Sequence, residues 1–432
     1  MSKIERYPDD WQVTTLGESA TYINGRAFST DERGENGLPM IRIQQMRDPD
    51  AEVDRFNGEV KDKHLIDDGD LLFSWSATLM TRIWDRGPAV LNQHIFKVVP
   101  DSGVSKNYLH YLLDFVMEDL AKQSHGTTMK HVKKSDLKPF EVVLPPLSEQ
   151  RRIADVLDTV DAAIQETDNV VEKQEQVKTG LLQDLLTRGL DADGRLRDPE
   201  REPEAFRHVE DIGVTPKSWE VVELGELVAR SGGAIQTGPF GSQLHKEEYV
   251  DEGVPVVMPQ NINGGKIQTQ DIARITPEKA RELGRHKLLP GDVLIARRGD
   301  LGRCAAIGER EAGWICGTGC LLVRPPSTEI TGRLLSLLYR QPSSQKQVVA
   351  QAVGSTMLNV NQEVLKQLRI QVPPSNEQQR IEDLVEGHEE RLNAERDYRG
   401  KLGSLKVGLM QDLLTGRVRV PEAEARVDEV VA

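Results

Sequence analysis

The sequence has few cysteines and few aromatic residues, and it contains no long hydrophobic run. Only Cys304, Cys316 and Cys320 occur among 432 residues, and this sparse, odd count favours reduced thiols over a disulfide framework. The longest apolar runs, such as residues 254–258, are too short to cross a bilayer. The charged first residues do not resemble a secretory signal. We therefore expect a cytoplasmic protein.

Several common catalytic motifs are also missing. The chain has no GxxxxGKS/T phosphate loop, no GxGxxG after a strand, no HExxH and no amino-methyltransferase Pro-Pro-aromatic motif. Three thiols without a fourth ligand at zinc-like spacing do not make a metal site. His94, His125 and His131 form no nucleophile–base arrangement. We expect no catalytic residue, no metal and no cofactor in this chain.

Acidic residues outnumber basic ones, and the formal net charge is −14. Three segments carry −12 of this charge: residues 149–187, 191–211 and 377–415. The remainder is nearly neutral and contains basic clusters at residues 130–138 and 296–303. Because charge is screened over roughly 10 Å at ordinary salt, distant acidic segments do not exclude a nucleic-acid-binding surface.

The chain repeats itself internally. The phrases that recur at an offset of 228 positions are GTTM/GSTM (from 126 and 354), PP (145 and 373), EQ (149 and 377), RI (152 and 380) and QDLLT (183 and 411). Upstream matches recur at offsets of 208 and 222, so insertions and deletions fall in the upstream part of each half. Each half is therefore a variable globular part of about 150 residues followed by a tail of fixed length.

The fixed tail has the pattern of a long helix. The Pro-Pro pair cannot lie inside a helix, and Ser148 followed by Glu149 suits an N-cap with an acid in the first turn. Apolar residues at mostly 4-3 spacing predict a coiled-coil seam: Ile153, Leu157, Val160, Ile164, Val171, Leu181 and Leu185 in the first copy, and Ile381, Val385, Leu392, Leu402, Leu409 and Leu413 in the second. The alternative is two amphipathic helices packed on separate cores.

Chain connectivity determines the direction of the paired helices. The first helix leads away from the first globular part, and the second begins where the second globular part ends. The two helices must then pack antiparallel, as a rod of about 57 Å at about 1.5 Å per residue. The C-terminal tail is expected near the N-terminus.

The globular parts combine short strands with a late helix. Strand-like runs occur at residues 38–44, 71–75, 254–258 and 292–297, and helical runs at 108–123 and 331–349 precede final strands at 140–144 and 368–372. This order predicts an α+β fold: two pseudo-two-fold-related α+β domains separated by an antiparallel two-helix coiled coil.

Polar and glycine-rich loops are candidates for DNA contact. Arginine matches the O6/N7 edge of guanine, glutamine and asparagine match the N6/N7 edge of adenine, and glycine or hydroxyl residues suit phosphate. The candidates are Arg42, Gln44, Gln45, Ser74, Trp75, Ser76, Thr127, Thr128, Lys130, Lys133, Gly238, Gly241, Ser242, Gln243, Gln260, Asn261, Arg297, Arg298, Gly299, Arg303, Ser355, Thr356 and Asn359. For each of them, a solvated turn is the alternative interpretation.

The two halves differ at one of these loops. Residues 74–77 read Ser-Trp-Ser-Ala, whereas residues 296–299 read Ala-Arg-Arg-Gly. We expect the first loop either to be positioned differently or to read a different base edge.

The doubled PPxxEQxRI helix start, the doubled QDLLT helix end and the phrases GPFGSQL and ARRGDLG together resemble a specificity subunit of type I restriction-modification systems. The resemblance covers nearly the whole chain. It implies two target recognition domains (residues 1–148 and 213–376), two spacer helices (149–188 and 377–416), a linker (189–212) and a C-terminal tail (417–432).

The resemblance also implies a division of labour. Each domain reads one part of a split, asymmetric site in double-stranded DNA. The helices dock two methyltransferase subunits, which bind S-adenosylmethionine and methylate adenine, and translocating restriction subunits complete the assembly. Two other functions stay open: a two-domain adaptor that binds proteins rather than DNA, and a fused modification enzyme.

Overall fold

The computed structural model describes residues 7–123, 132–230, 232–240, 243–352 and 359–431. The chain divides into a first unit, residues 1–171 and 395–432, and a second unit, residues 172–394. Both boundaries fall inside long helices.

The first unit begins with an α+β domain. Its elements are β1 Gln12–Thr15, α1 Leu16–Ser19, β2 Ala20–Asn24, β3 Arg33–Gly34, β4 Leu38–Ile41, α2 Ile43–Arg47, β5 Arg55–Phe56, β6 Leu65–Ile66, β7 Leu71–Ser74, β8 Met80–Ile83, β9 Ala89–Leu91, β10 Ile95–Pro100, α3 Lys106–Gln123, α4 Lys134–Leu137 and β11 Glu141–Leu144. The strands form sheets of order β1-β11, β2-β10-β7-β8 and β3-β5-β4-β9-β6.

Helix α5, Leu147–Thr187, leads from the first unit into the second. The elements that follow are β12 Phe206–Val209, β13 Gly213–Pro216, β14 Glu220–Glu223, α6 Leu224–Arg230, β15 Ala234–Thr237, β16 Tyr249–Val250, β17 Val254–Val257, β18 Ile262–Asn263, β19 Lys266–Ile267, β20 Ala273–Ile275, α7 Pro277–Glu282, β21 Val293–Ala296, β22 Cys304–Ala306, β23 Ile315–Cys316, β24 Cys320–Arg324, α8 Gly332–Tyr339, α9 Pro342–Gln351, α10 Gln362–Lys366 and β25 Arg369–Val372. Helices α11, Ser375–Leu413, and α12, Val420–Val431, end the chain.

The second unit repeats the sheet topology of the first. Its sheets β14-β25 and β15-β24-β21-β22 correspond in order to the first two sheets of the first unit, and β16-β20-β17-β23 corresponds to β3-β5-β4-β9 without the fifth strand β6. In both units a parallel pairing joins equivalent strands, β4 to β9 and β17 to β23. The predicted α+β fold and its internal repeat are confirmed.

Two local predictions were wrong, and one element was not predicted. Helix α5 begins at Leu147, so Ser148 lies inside its first turn and is not the N-cap. The helix expected over residues 331–349 is two helices, because Gln341 is extended and Pro342 starts α9. The C-terminal tail, which had no predicted structure, contains α12.

The doubled glutamine of the EQ phrase joins each helix start to neighbouring loops. Gln150 is 1% exposed; its Nε2 donates to the carbonyl oxygens of Pro145 (2.9 Å) and Gly103 (3.1 Å). The equivalent Gln378 donates to the carbonyl oxygen of Pro373 at 2.9 Å. Both amides thus satisfy backbone carbonyl groups that the proline turn would otherwise leave without a partner.

The two long helices run in opposite directions within each unit. In the first unit Asp161 pairs with Lys406 and Asp168 with Arg399, at 2.6 and 3.0 Å. One residue number rises while the other falls, which requires antiparallel packing. Apolar residues near these pairs on the two helices are buried, among them Leu157, Val160, Leu402 and Leu409.

The second unit shows the same arrangement. Lys178 Nζ lies 2.5 Å from Glu389 Oε1, and the backbone N–H of Leu190 donates to Glu377 at 2.7 Å. The pair Lys178–Glu389 is the pair Lys406–Asp161 with both partners displaced by 228 positions. The predicted antiparallel pairing is therefore confirmed in both units.

The segment that follows each long helix binds the start of the other long helix. After α5, Arg197 donates two hydrogen bonds to Glu377, at 2.7 and 3.0 Å. After α11, Arg419 donates to Glu149 at 2.9 Å and pairs with Asp10 at 3.1 Å. The pair Arg419–Asp10 confirms that the C-terminal tail lies near the N-terminus. The two glutamates of the EQ phrases each bind an arginine from the segment that follows the other long helix.

A half-buried histidine on α3, His110, lies beside strand β8 in the first unit. His110 Nδ1 is 2.7 Å from Thr81 Oγ1, whose hydroxyl donates to Asp114. Burial, more than any neighbouring charge, lowers the pKa of His110. The charged groups around it are Asp114, Asp158, Asp161 and Lys406.

We predict that His110→Gln reduces the pH dependence of folding in the first unit. The neutral imidazole contributes stability that is complete above the unfolded pKa of about 6.5 and is lost as pH falls toward the lower folded value. Urea unfolding midpoints measured between pH 8 and pH 5 should therefore fall less in this variant than in the wild type. His208→Gln, at an exposed position, is the control; identical pH dependence in all three proteins would contradict the prediction.

Candidate nucleic-acid interface

In the second unit the loop after strand β21 is fixed by its backbone. The N–H of Arg297 donates to the carbonyl oxygen of Gly319 at 3.0 Å, and the N–H of Val360 donates to that of Arg297 at 2.9 Å. Gly299 has φ of +76°, a conformation that favours glycine. The loop therefore presents Arg298 at an exposed position, bridged through its backbone to Asn359.

The loop after β7 in the first unit has the same backbone arrangement. The N–H of Trp75 donates to the carbonyl oxygen of His94 at 3.2 Å, and the N–H of Val132 donates to that of Trp75 at 2.9 Å. Ala77 has φ of +61° at the position of Gly299. Of the two alternatives expected for this loop, the shared backbone does not support a different position, whereas the reading of a different base edge stays a prediction.

The candidate arginines of the second unit differ in whether their side chains have hydrogen-bond partners. Arg297 Nε donates to Asn359 Oδ1 at 3.2 Å, and burial together with the Arg298 guanidinium lowers the pKa of Arg297. Arg303 Nη1 donates to the carbonyl oxygen of Pro259 at 3.2 Å. Arg298 makes no side-chain hydrogen bond or ion pair with any described residue, so its guanidinium fork is available to a ligand.

Two buried amides shape the turn that follows β4 in one unit and β17 in the other. Gln45, 4% exposed, accepts from the N–H of Arg42 at 3.1 Å, and Asn261, 3% exposed, accepts from the N–H of Met258 at 3.0 Å. These bonds give both side chains a structural role. The preceding residues, Gln44 and Gln260, are exposed on the same turns.

The glycine-rich loop of the second unit packs tightly against the strand β23–β24 connection. A Cβ atom on Gly238 would lie 2.0 Å from the carbonyl oxygen of Gly317, so no larger residue fits. Gln243 Oε1 accepts from the N–H of Phe240 at 3.2 Å, so its side chain stabilises the loop.

The remaining candidates of the first unit lie in different surroundings. Arg42 pairs with Asp54 at 2.5 Å. Ser74 is fully buried and accepts from the N–H of Met80 at 3.1 Å, and Ser76 is 7% exposed. Lys133 is exposed before α4. It lines a cavity of about 610 Å³ whose wall includes Tyr22, His64, Trp75, Phe96 and Lys134.

The structure thus brings the exposed candidates of the second unit to one region and leaves several others as supports. Seven candidates lie outside the described residues: Thr127, Thr128, Lys130, Gly241, Ser242, Ser355 and Thr356. For these the DNA-contact hypothesis stays a prediction.

Sequence reasoning missed the connection between β9 and β10. Gln93 is exposed, and the ring of His94 lies 5.4 Å from that of Trp75. The equivalent connection in the second unit contains Thr318, whose hydroxyl donates to the carbonyl oxygen of Pro239 at 2.9 Å. The polar residues between two apolar strands were the available signal.

Within the described part of the chain, no helix is both long enough and apolar enough to span a membrane. Likewise, no group of three or more His, Cys, Asp or Glu side chains in that part could hold a metal ion.

Comparisons with known proteins agree with this architecture. Residues 8–175 and 216–397 match the model of the type I restriction modification DNA specificity domain. The specificity subunit of type I restriction enzyme MjaVIII from Methanocaldococcus jannaschii is 25% identical over 424 residues, covering 96% of this chain and 94% of that protein. The EcoBI specificity subunit from Escherichia coli is 22% identical over 387 residues, covering 88% and 79%.

Two solved structures share the fold. The S subunit of a type I restriction-modification system from M. genitalium aligns with a TM-score of 0.55 at 15% identity, covering 96% of this chain and 98% of that chain. A chain from a structural study of complex assembly and conformational transition in the type I system aligns with a TM-score of 0.57 at 18% identity, covering 96% and 100%.

Proposed function

We propose that this chain, which belongs to the type I restriction modification DNA specificity family, reads a bipartite, asymmetric DNA target for a restriction-modification complex. The observation that carries the proposal is the repeated loop after β7 and β21. The same backbone hydrogen bonds hold Trp75 in the first unit and Arg297, next to the exposed Arg298, in the second. Equal scaffolds with unlike side chains suit two half-sites of unlike sequence.

The second unit has the chemistry to read base edges. The free fork of Arg298 matches the O6/N7 edge of guanine, and the exposed amide of Gln260 matches the N6/N7 edge of adenine. The first unit offers the exposed Gln44 and Gln93 instead, which favours a different base sequence. Arg297, anchored by Asn359, supports the neighbouring reading position.

The chain itself is proposed to perform no catalysis and to hold no cofactor. Two methyltransferase subunits, carrying S-adenosylmethionine, would dock on α5 and α11, and restriction subunits would join them. The repeat supports a count of two, because each half of the chain supplies an equivalent helix start with the same glutamate and glutamine. The exposed acidic residues of both helices offer charged docking surfaces.

Equilibrium DNA binding by the chain with its methyltransferase partner tests the proposal. We expect sequence-specific binding whose affinity falls steeply with salt, because phosphate contacts release counterions. Methylation sequencing of a host carrying both proteins should reveal two fixed half-sites separated by a gap. Salt-independent binding to proteins alone would favour the adaptor function, and methyl transfer by the isolated chain would favour the enzyme.

We also predict that the long helices set the gap between half-sites. Inserting four residues after Asn169 in α5 and four after Asp397 in α11 lengthens both helices by about 6 Å, or about two base pairs. The modified target should keep both half-site sequences and gain a longer gap. A four-residue insertion after the exposed Glu35 should leave the gap unchanged. Altered half-site bases with an unchanged gap would contradict this role.

A further inference from the structure

Phe240 is exposed in the glycine-rich loop between β15 and β16. Its exposure is 54%, and it is the only aromatic residue among the exposed large hydrophobic side chains of the described residues. An exposed ring is costly in water, so its position calls for a partner surface.

Hydrogen bonds hold the backbone of this loop around Phe240. The side chain of Gln243 accepts from the N–H of Phe240 at 3.2 Å, and the backbone N–H groups of Gln243 and Leu244 donate to its carbonyl oxygen at 2.8 and 3.2 Å. Leu244, 4% exposed, anchors the loop in an apolar cluster. The loop is thus fastened on both sides of a ring that stays outside the core.

The ring belongs to the surface that carries the reading arginines. The carbonyl oxygen of Pro239 accepts a hydrogen bond from the hydroxyl of Thr318. The carbonyl oxygen of Gly319, the residue after Thr318, accepts from the N–H of Arg297. Two hydrogen bonds therefore connect the loop that carries Phe240 to the loop that carries Arg298.

The phenylalanine in the equivalent glycine-containing loop of the first unit is buried. Phe28 is 8% exposed, and its ring lies 5.1 Å from that of Phe56. The Arg26 guanidinium lies 4.7 Å from the Phe28 ring centre. The ring of Phe28 is packed inside the first unit, whereas the ring of Phe240 in the second unit is exposed.

We propose that Phe240 is a wedge that enters between two stacked base pairs in the half-site read by the second unit. Apolar side chains that enter a base step unstack it and bend the duplex. The neighbouring arginines supply the charge that holds the bent backbone close. This inference rests on the proposed function and assigns DNA deformation to one half-site. An unstacked step also lowers the energy needed to extrude a nearby base for chemistry by a partner.

Fluorescence of 2-aminopurine tests the wedge in the assembled methyltransferase complex. The probe is placed in turn at each position of the two half-sites defined by methylation sequencing. We expect the wild-type complex to raise the fluorescence at one step of the second unit's half-site. Phe240→Ala should bind about tenfold more weakly and lose that rise, while Phe240→Trp should retain it. Leu289→Ala, 44% exposed in the same unit, should behave as the wild type.

The outcomes separate the wedge from the proposed function. Specific binding by the wild type without a fluorescence rise at any step of that half-site overturns the wedge and leaves DNA reading intact. An unchanged rise in Phe240→Ala also overturns it. If the wild-type complex shows no fluorescence rise and binds more weakly to DNA in which uracil replaces thymine, Phe240 contacts a thymine methyl group and does not enter a base step. Absence of sequence-specific binding overturns both proposals.

Discussion

Arg298→Ala is expected to reduce base discrimination in one half-site by a factor of about 10 to 100 and to leave the other half-site unaffected. A bidentate arginine–guanine contact contributes about 1–3 kcal/mol of discrimination against the wrong base. Arg298 is exposed, and it has no ion-pair partner among the described residues, so the substitution should remove little stability. The measurement is the affinity of the assembled complex for DNAs that carry every single-base change in each half-site.

Arg281→Ala provides the matched control. Arg281 is 75% exposed in the same unit, on α7, and pairs with Glu278 at 2.8 Å. Its removal should change neither affinity nor discrimination. If Arg298→Ala instead weakens all DNAs equally and reduces the salt dependence by about one counterion, Arg298 binds phosphate and the base-reading assignment is wrong.

Glu377→Ala should destabilise the second unit by about 3–5 kcal/mol. Glu377 and Arg197 are only 7% and 14% exposed, and removing one partner leaves the other charge buried without compensation. The N–H of Leu190 would also lose its acceptor. Urea titration, with unfolding monitored by hydrogen exchange in peptides from each unit, would measure the loss of stability in each unit separately.

Glu149→Ala is the corresponding change in the first unit. Its partner Arg419 is 45% exposed, so water can solvate the guanidinium that remains, and we expect a loss of about 1 kcal/mol. Equal losses from the two substitutions would contradict the role assigned to burial. A loss spread over both units after Glu377→Ala would contradict its local structural role.

The repeat was the most informative part of the sequence. A constant offset of 228 predicted two long helices, and connectivity then required that they pack antiparallel. The same offset relates Lys178–Glu389 to Lys406–Asp161, although the sequence pattern alone did not identify these partners. Period and chain order sufficed because the helices have fixed length and regular geometry.

The candidate site was less predictable, because each loop depends on contacts far apart in the sequence. Gln44 and Gln45 are adjacent glutamines that the sequence alone does not distinguish. Gln45 is buried and hydrogen-bonded to the backbone, whereas Gln44 is exposed. Phe28 and Phe240 follow similar glycine phrases and have opposite exposures. Ser148 resembled an N-cap, but the helix starts one residue earlier. Local propensity does not determine which polar group finds a tertiary partner.

The shared loop scaffold has a consequence for how this protein changes over generations. The backbone N–H and carbonyl groups of Trp75 and Arg297 make equivalent hydrogen bonds in the two units, although the side chains differ. Under the proposed function, one or two codon substitutions there would redirect the modification of a genome while the encoded fold persists. A cell lineage that carries this protein would then acquire a new self-marking pattern without rebuilding the molecule that selects the marked sites.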